Sequence, residues 1–499
     1  MLKNNLFKIT GIAIQRNLSL NIILMLFGCL YLTMMFCNHY FFRTWAWDYG
    51  SYNFAFYDYA HFRISDSPVF SPHITFLQDH VSFTFMIFIP LYWMLGWVFG
   101  TYTLSFIQVF LILFGGWAIY KLIELKTSNR LLAILAILHY FIIYGRWASF
   151  CSQCNLAIIA SSIVPVFLYY FEKRKFFAAS LAFVFILLAR EDMSLWMLFI
   201  GVYLAITYYK DKKCRIASFI VIFASIGYFI FVFNVIIPFL ENPFHQFNLF
   251  NYSSLGKNPS EAMTFILTRP IKAIELLFIN TSGNPAYNYI KFEFYYVYFL
   301  AGGFLVFYRP KYLILFIPLI AKKMYNDDPI RWSIESYYSI EVVSILPIAI
   351  FLIISEIKNL RARKVLIYLV CFNSFFMTTF KLLEKGRELN YDNTNFAFFK
   401  SSMYKSDLDI KKINQQLKLI PPDAKVAACG SIHPHLAYRQ KIYYFPRIED
   451  SEYLTVFLDR DTYPFTKEQF EEFLNKFRTS QEWVEFVNDY PLLILKRAG

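Results

Sequence analysis

The sequence predicts an α-helical polytopic membrane protein with a small C-terminal α/β domain on the outer face of the membrane. Three observations lead there. Of the 499 residues, 57% are hydrophobic and only 17% are charged. A soluble chain is typically about 45–50% apolar and about 25% charged, so the surplus apolar surface has to face lipid. Apolar runs of about 17–25 residues, enough to cross a hydrocarbon core, recur up to Leu383. Beyond that point short alternating segments replace them.

The first run, Leu20 to Phe42, follows Lys3, Lys8 and Arg16. It is too long for a signal-peptide core and no small-residue cleavage site follows, so it reads as an uncleaved first span. Further spans are expected at 101–120, 131–146, 155–171, 176–189, 193–209, 216–239, 289–307, 312–325, 336–356 and 365–383. With 20–41 this makes about eleven transmembrane helices.

Segment 83–99 is expected to lie in the outer interface rather than cross. Six basic clusters then share the cytoplasmic side: Lys3/Lys8/Arg16, Lys121/Lys126/Arg130, Lys173-Arg174-Lys175, Lys210/Lys212/Lys213/Arg215, Arg309/Lys311 and Lys358/Arg361/Arg363/Lys364. Positive charge collects on the cytoplasmic side of membrane proteins. Pro90 and Gly96 argue the same way, and Lys322-Lys323, near an outer end, is the exception.

The N-terminus is then inside. The first outer loop is 43–82, an interfacial helix runs from about Ser260 to Asn280, and the domains divide as 1–383 and 384–499. In the tail, 425–430, 441–446 and 453–459 read as strands. Thr466 to Phe477 reads as a helix with Thr466 as its N-cap.

Several functions are excluded. The net charge of +13 comes in short clusters between apolar runs, which is a topology signal and not a nucleic-acid surface. Seven cysteines give no disulfide framework, and Cys151-Ser-Gln-Cys154, the only CxxC, lacks neighbouring ligands. There is no P-loop, Rossmann glycine motif or Gly-x-Ser-x-Gly.

Ionisable residues are costly near a bilayer, so their placement is informative. Asp48 in Trp45-Ala-Trp47-Asp48-Tyr49-Gly50 follows the first helix directly. Desolvation among the aromatics would make its carboxylate a usable base, against an ordinary loop Asp beside interface tryptophans. Asp79-His80 forms an acid–base couple or part of a metal site, against Asp79 capping the next helix. His61 and His73 in the same loop read as structural.

Arg190-Glu191-Asp192 interrupts two apolar runs. Arg190 can hold a phosphate bidentately and the carboxylates a metal or an acceptor. The plain alternative has Asp192 capping the next helix while Arg190 snorkels. Asn326 to Arg331 and Glu335 to Tyr338 form a further outer turn, which reads first as a solvated loop. His433, His435 and Arg439 read as a structural strand-to-helix turn.

The pieces Trp47-Asp48-Tyr-Gly50, Leu77-Gln-Asp-His-Val-Ser82, Pro90-Leu-Tyr, Glu172-Lys-Arg-Lys175, Leu188-Ala-Arg-Glu-Asp192, Ile420-Pro-Pro-Asp-Ala-Lys-Val426, His435-Leu-Ala-Tyr-Arg439 and Tyr443-Tyr-Phe-Pro446 occur in order. Together they resemble the bacterial membrane proteins grouped as domain of unknown function 2079 (DUF2079). Those are similar in turn to GT-C glycosyltransferases. Asn53 stands where the family often has a second Asp, and Tyr337-Tyr338 where it often has His-Tyr.

The resemblance implies a GT-C-like membrane domain in the bacterial cytoplasmic membrane. It implies inverting transfer of a sugar from a polyprenyl-phosphate carrier at the outer face, with Asp48 as general base. Asp79, His80, Glu191 and Asp192 are the further catalytic candidates. Arg190, Tyr49, Tyr337 and Arg331 are the candidate substrate contacts. The cofactor left open is a divalent metal ion, with Asp48 and Asp192 as ligands. The expected partners are the lipid-linked sugar donor and membrane lipid. The competing functions are a transporter or flippase of a lipid-linked glycan and a non-catalytic membrane scaffold. Charges at the outer ends and the lack of repeat symmetry favour the enzyme.

Overall fold

The computed structural model describes residues 2–70, 72–247, 250–384 and 396–498, with side chains from Leu18 onward. The predicted domain junction therefore abuts residues 385–395, which lie outside the described residues. So do the side chains of Lys3, Lys8 and Arg16.

The chain is a helical membrane protein. Its helices are α1 (Leu2–Tyr40), α2 (Ser51–Ala60), α3 (Phe76–Asp79), α4 (Ile89–Phe99), α5 (Thr103–Thr127), α6 (Arg130–Ile142), α7 (Tyr144–Ala148), α8 (Leu156–Glu172) and α9 (Phe176–Ala189). There follow α10 (Met193–Thr207), α11 (Lys212–Phe231), α12 (Pro259–Thr268), α13 (Pro270–Leu276), α14 (Ile290–Leu300), α15 (Ile317–Met324), α16 (Ile340–Glu356) and α17 (Leu360–Leu383).

Among the described residues four stretches are long and apolar enough to cross a bilayer: Leu18–Tyr40, Ile89–Thr127, Lys212–Leu240 and Leu360–Leu383. The pair α6–α7, bent by 46°, makes a fifth. The apolar helices α8, α9, α10 and α16 are shorter. α8 and α16 are buried along nearly their whole lengths, as helices apolar on every side must be. α11 instead leaves Phe219, Ile220, Phe223 and Ile230 exposed on the outside of the bundle, a surface only lipid can cover.

The loop after α1 begins and ends on one side. His39 at the end of α1 hydrogen-bonds Thr101 at 2.8 Å, just before α5. The two ends of the 43–102 segment therefore lie close together. α4 has only 11 residues and ends at Gly100, where φ is +52° and ψ −135°. Its Trp93 indole donates to Ala60 of the first loop.

The basic clusters meet at the opposite end. Lys126 pairs with Glu172 at 3.0 Å, Arg174 pairs with Asp211, and Arg130 donates to Ser19 near the start of the first apolar run.

Besides 131–146, which bends between α6 and α7, two further expected spans are not continuous helices. Segment 289–307 breaks at Gly302, where φ is +110° and a Cβ would meet Ile350 and Val370. Segment 312–325 is a 3₁₀ turn, Pro310–Leu315, followed by α15. The expected interfacial helix at 260–280 is likewise two helices, α12 and α13, parted at Arg269-Pro270.

The tail contains α18 (Ile410–Leu417), β1 (Val426–Ala428), α19 (His433–Leu436), β2 (Ile442–Tyr444), β3 (Tyr453–Phe457), α20 (Lys467–Arg478), β4 (Trp483–Asp489) and β5 (Leu492–Arg497). The sheet order is β2-β1-β3-β5-β4, parallel through the first three strands and antiparallel at β5 and β4. The three predicted strands and the Thr466 cap are present, the cap as a full capping box with Gln469.

The tail grips the first loop. Arg447 donates to the carbonyls of Ser67 and Phe70, and the Tyr444 amide donates to Pro68. Arg43 donates to the carbonyls of Ser402, Met403 and Lys405. His435 stacks between His39 and Phe42, with ring centroids 4.0 Å and 3.9 Å away.

Gly430 sits flat on the Trp45 indole: a Cβ there would come within 2.5 Å of Trp45 Cζ2. Gly430→Ala should therefore lower the thermal midpoint, by overpacking of about 1–3 kcal/mol. It should also speed proteolytic release of the tail. An unchanged midpoint and cleavage rate would mean that this contact does not hold the tail in place.

Candidate active site

The elements that share the His39 end of the bundle bring the candidate residues together. Asp48 lies in a single π-helical turn, Ala46–Gly50, that runs into α2. Ser51 fixes that turn by donating to the carbonyls of Trp47 and Asp48. The Asp48 carboxylate is half-buried, and the Ser152 hydroxyl, in the loop before α8, approaches its Oδ2 at 3.5 Å.

The turn Arg190-Glu191-Asp192 joins α9 to α10 and is the hub of an ion network. Asp192 Oδ2 lies 3.0 Å from Arg190 Nη2 and 2.5 Å from Lys322 Nζ. Lys322, near the end of α15, also holds Glu341 on α16 at 3.0 Å. On the other flank His80 Nδ1 lies 3.4 Å from Glu191, and Nε2 lies 3.8 Å from Asp79. A hydrogen bond from the Phe83 amide to the Leu188 carbonyl pins this segment to α9. Arg190 and Glu191 are buried, so removing either partner would strand a charge, at a cost of about 3–5 kcal/mol.

Burial raises the Tyr52 phenol well above its usual pKa, and the charges of Asp48 and Asp79 add to the effect. Tyr337 joins the same group, since it lies within electrostatic reach of both Asp48 and Arg190. The first loop, the 190–192 turn and the start of α16 thus form one polar cluster.

Several readings are corrected. Asp192 takes the N-cap position of α10 but makes no capping hydrogen bond, because its side chain turns to Arg190 and Lys322. Arg190 does not snorkel, being 9% exposed. Asp79 ends α3 and does not cap the helix that follows. Tyr49, expected as a substrate contact, is 1% exposed, and its hydroxyl is committed to the Thr101 carbonyl and Ser105. Arg331 lies to one side, over the Tyr338 ring and 3.8 Å from Asp328.

Among the described residues no group of three or more His, Cys, Asp or Glu side chains is arranged to hold a metal ion. Asp192, expected as a ligand, has cations on its Oδ2 already. His433 and His435 belong to a strand-to-helix turn, as expected, with His433 against Gly50.

The sequence reading missed four members. Lys322 had stood out only as a topology exception, and Glu341 was hidden inside an apolar run. Tyr52 and Ser152 carried no signal in their surroundings. Arg146, at the end of an expected span, was also passed over. It is fully buried and lies 4.4 Å from the Tyr140 ring centroid. Its Nε, Nη1 and Nη2 have no hydrogen-bond partner among the described residues. A desolvated cation–π contact returns about 2 kcal/mol, while burying an ion costs several.

The bundle and its polar cluster define a polytopic α-helical membrane protein of one recognisable architecture. The fold is similar to that of ArnT from Cupriavidus metallidurans, solved bound to undecaprenyl phosphate. The TM-score is 0.52 at 10% identity, covering 97% of this chain and 98% of that one. The chain belongs to the DUF2079 family, described as predicted membrane proteins, whose model matches residues 38–483. No curated protein sequence matches it.

The His80 contacts set a pH response. Burial disfavours the charged imidazole, but the Asp79 and Glu191 carboxylates outweigh it and raise the His80 pKa above 6.5. Burial likewise opposes the Glu191 carboxylate, but His80 and Arg190 overcome it and hold its pKa below 4.5. The stability from His80 is full below about pH 6.5 and is lost as pH rises through its elevated pKa. That from Glu191 is lost only as pH falls through its depressed one. Hydrogen exchange at residues 76–83 should therefore quicken as pH rises above about 6.5, beyond the intrinsic base catalysis, and His80→Asn should remove that step. A step that survives in the variant would assign it to another group.

Proposed function

We propose that this chain is a GT-C type glycosyltransferase. In this reading it takes a sugar from a polyprenyl-phosphate carrier and passes it, with inversion, to an acceptor at the outer face of a bacterial cytoplasmic membrane. The observation that carries the reading is the ion network around the Arg190–Asp192 turn, which takes in His80 and Asp79 of the same outer loop that carries Asp48. The likeness in fold to ArnT, a GT-C enzyme whose structure holds undecaprenyl phosphate, supports it.

Some of the placement rests on the same reading. About eleven spans, counting the short helices, put the basic clusters inside. The first loop, α4 and the tail then lie outside, with the cluster at headgroup depth, where a lipid-linked phosphate sits.

The chemistry follows from the residue types. Asp48 takes the proton of an acceptor hydroxyl as its oxygen attacks C1 of the sugar. The bond from C1 to the phosphate oxygen breaks, and the carrier leaves as a phosphate anion. Arg190 is the group to receive that anion. One arm of its fork is held by Asp192, while Nε is buried without a hydrogen-bond partner among the described residues. A phosphate oxygen can fill that position. Asp79, His80 and Glu191 hold the turn in place, and Tyr337 borders the substrate.

Asp48→Asn keeps the shape but cannot accept a proton at neutral pH. In a reconstituted assay with radiolabelled polyprenyl-phosphate sugar it should lose at least about 10²-fold in turnover, at wild-type expression and thermal stability. Arg190→Ala should raise KM and lower kcat together. Wild-type turnover in Asp48→Asn would remove Asp48 from the mechanism and favour transport of a lipid-linked glycan or a scaffold role.

A further inference from the structure

Arg146 lies in the helical core with no opposite charge to hold. Helix α6 stops at Ile142 and α7 restarts at Tyr144 across the 46° bend, which folds Arg146 back over the Tyr140 ring. No carboxylate lies within ion-pair distance of the guanidinium, and none of its three nitrogens has a hydrogen-bond partner, among the described residues. An arginine cannot escape burial by losing its proton, so the charge persists.

Two hydroxyls lie nearby. Both are buried, that of Tyr140 without a hydrogen-bond partner among the described residues and that of Tyr298 with only Ser339 beside it. The Tyr298 hydroxyl packs against Gly145, where any Cβ would collide with it, and Tyr298 lies within reach of the Arg146 charge. Tyr31, also within reach, is already committed through its hydroxyl to the Phe141 carbonyl.

We propose that Arg146, with the hydroxyls of Tyr140 and Tyr298, forms a buried binding site for a phosphate-class oxyanion. The guanidinium offers five N–H donors in a planar fork, and the phenols add two O–H donors. A carboxylate, with two oxygens, leaves part of that set unused, whereas the three or four oxygens of a phosphate can engage it. A buried cation inside a membrane domain marks a functional site whose counter-charge has to be named, and among the described residues no side chain provides it. Arg190 and Lys322 differ in having Asp192 and Glu341 against them, and the Arg146 site requires no transfer chemistry. The phosphate comes either from a lipid headgroup or from solution.

The test uses the purified full-length chain with two probes. One is radiolabelled inorganic phosphate added in detergent. The other is a set of nanodiscs of phosphatidylcholine with or without phosphatidic acid. Binding and the thermal midpoint are read for wild type, Arg146→Met, Arg146→Lys and the pair Tyr140→Phe/Tyr298→Phe. Wild type should bind saturably and be stabilised. Arg146→Met, relieved of a buried charge, should match or exceed the ligand-free wild-type midpoint yet bind at least about tenfold more weakly. Arg146→Lys should recover part of the binding, and the double Phe variant should weaken it.

Stabilisation by phosphatidic acid alone assigns a lipid headgroup, and stabilisation by inorganic phosphate alone assigns a soluble anion. Either supports the site. The proposal is overturned if wild type responds to neither probe, or if folded Arg146→Met binds as wild type does, since ordered water would then satisfy these donors.

Discussion

The carboxylate of Asp192 is shared between Arg190, its near neighbour in sequence, and Lys322, which reaches it from α15. Three separate parts of the chain depend on that contact. It sets the turn between α9 and α10, brings the end of α15 against it, and through Lys322 fixes Glu341 at the start of α16. On the far side the turn presents Glu191 to His80, which places the end of the first loop. Surface ion pairs contribute little, but this group is largely withdrawn from water, and losing one member leaves its partner uncompensated. The network therefore specifies an arrangement more than it adds stability.

The same arithmetic shapes what the cluster can bind. Asp79, Glu191, Asp192 and Glu341 face Arg190, Lys322 and His80, and Asp48 adds a further negative charge nearby. Within this group Arg190 Nε lacks a hydrogen-bond partner among the described residues, with Glu191 Oε1 3.9 Å away. The turn that carries Asp48 is backed by the tail, with Trp45 under Gly430 and Gly50 under His433. A small soluble-looking unit thus acts as a support for a residue at the membrane end.

Much of this was legible beforehand. The membrane class follows from apolar content, and the Asp48, Asp79-His80 and Arg190–Asp192 motifs stand out because charge is rare in such a sequence. What could not be read was pairing at a distance. Lys322-Lys323 looked misplaced as topology signals because their partners were unknown. Lys322 serves Asp192 and Glu341, and Lys323 caps the carbonyls of Arg331, Ser333 and Tyr338. Tyr49 looked available because its motif gives no hint of Thr101. Strand β4 was missed because it lies largely exposed at the sheet edge and shows no buried–polar alternation. The breaks at Gly302 and Arg269-Pro270 came from local backbone demands inside runs that read as continuous by hydropathy alone.

The dependence on the shared Asp192 carboxylate is open to direct measurement. A double-mutant cycle of Asp192→Asn and Lys322→Gln, followed by denaturation of the protein in a defined detergent, isolates their coupling. Each single change should be costly because it strands the other charge. The double variant should cost clearly less than the sum, with a coupling of about 1 kcal/mol or more. Single costs that add to within about 0.3–0.5 kcal/mol would show the two residues acting independently, and would contradict the network as the element that organises the site.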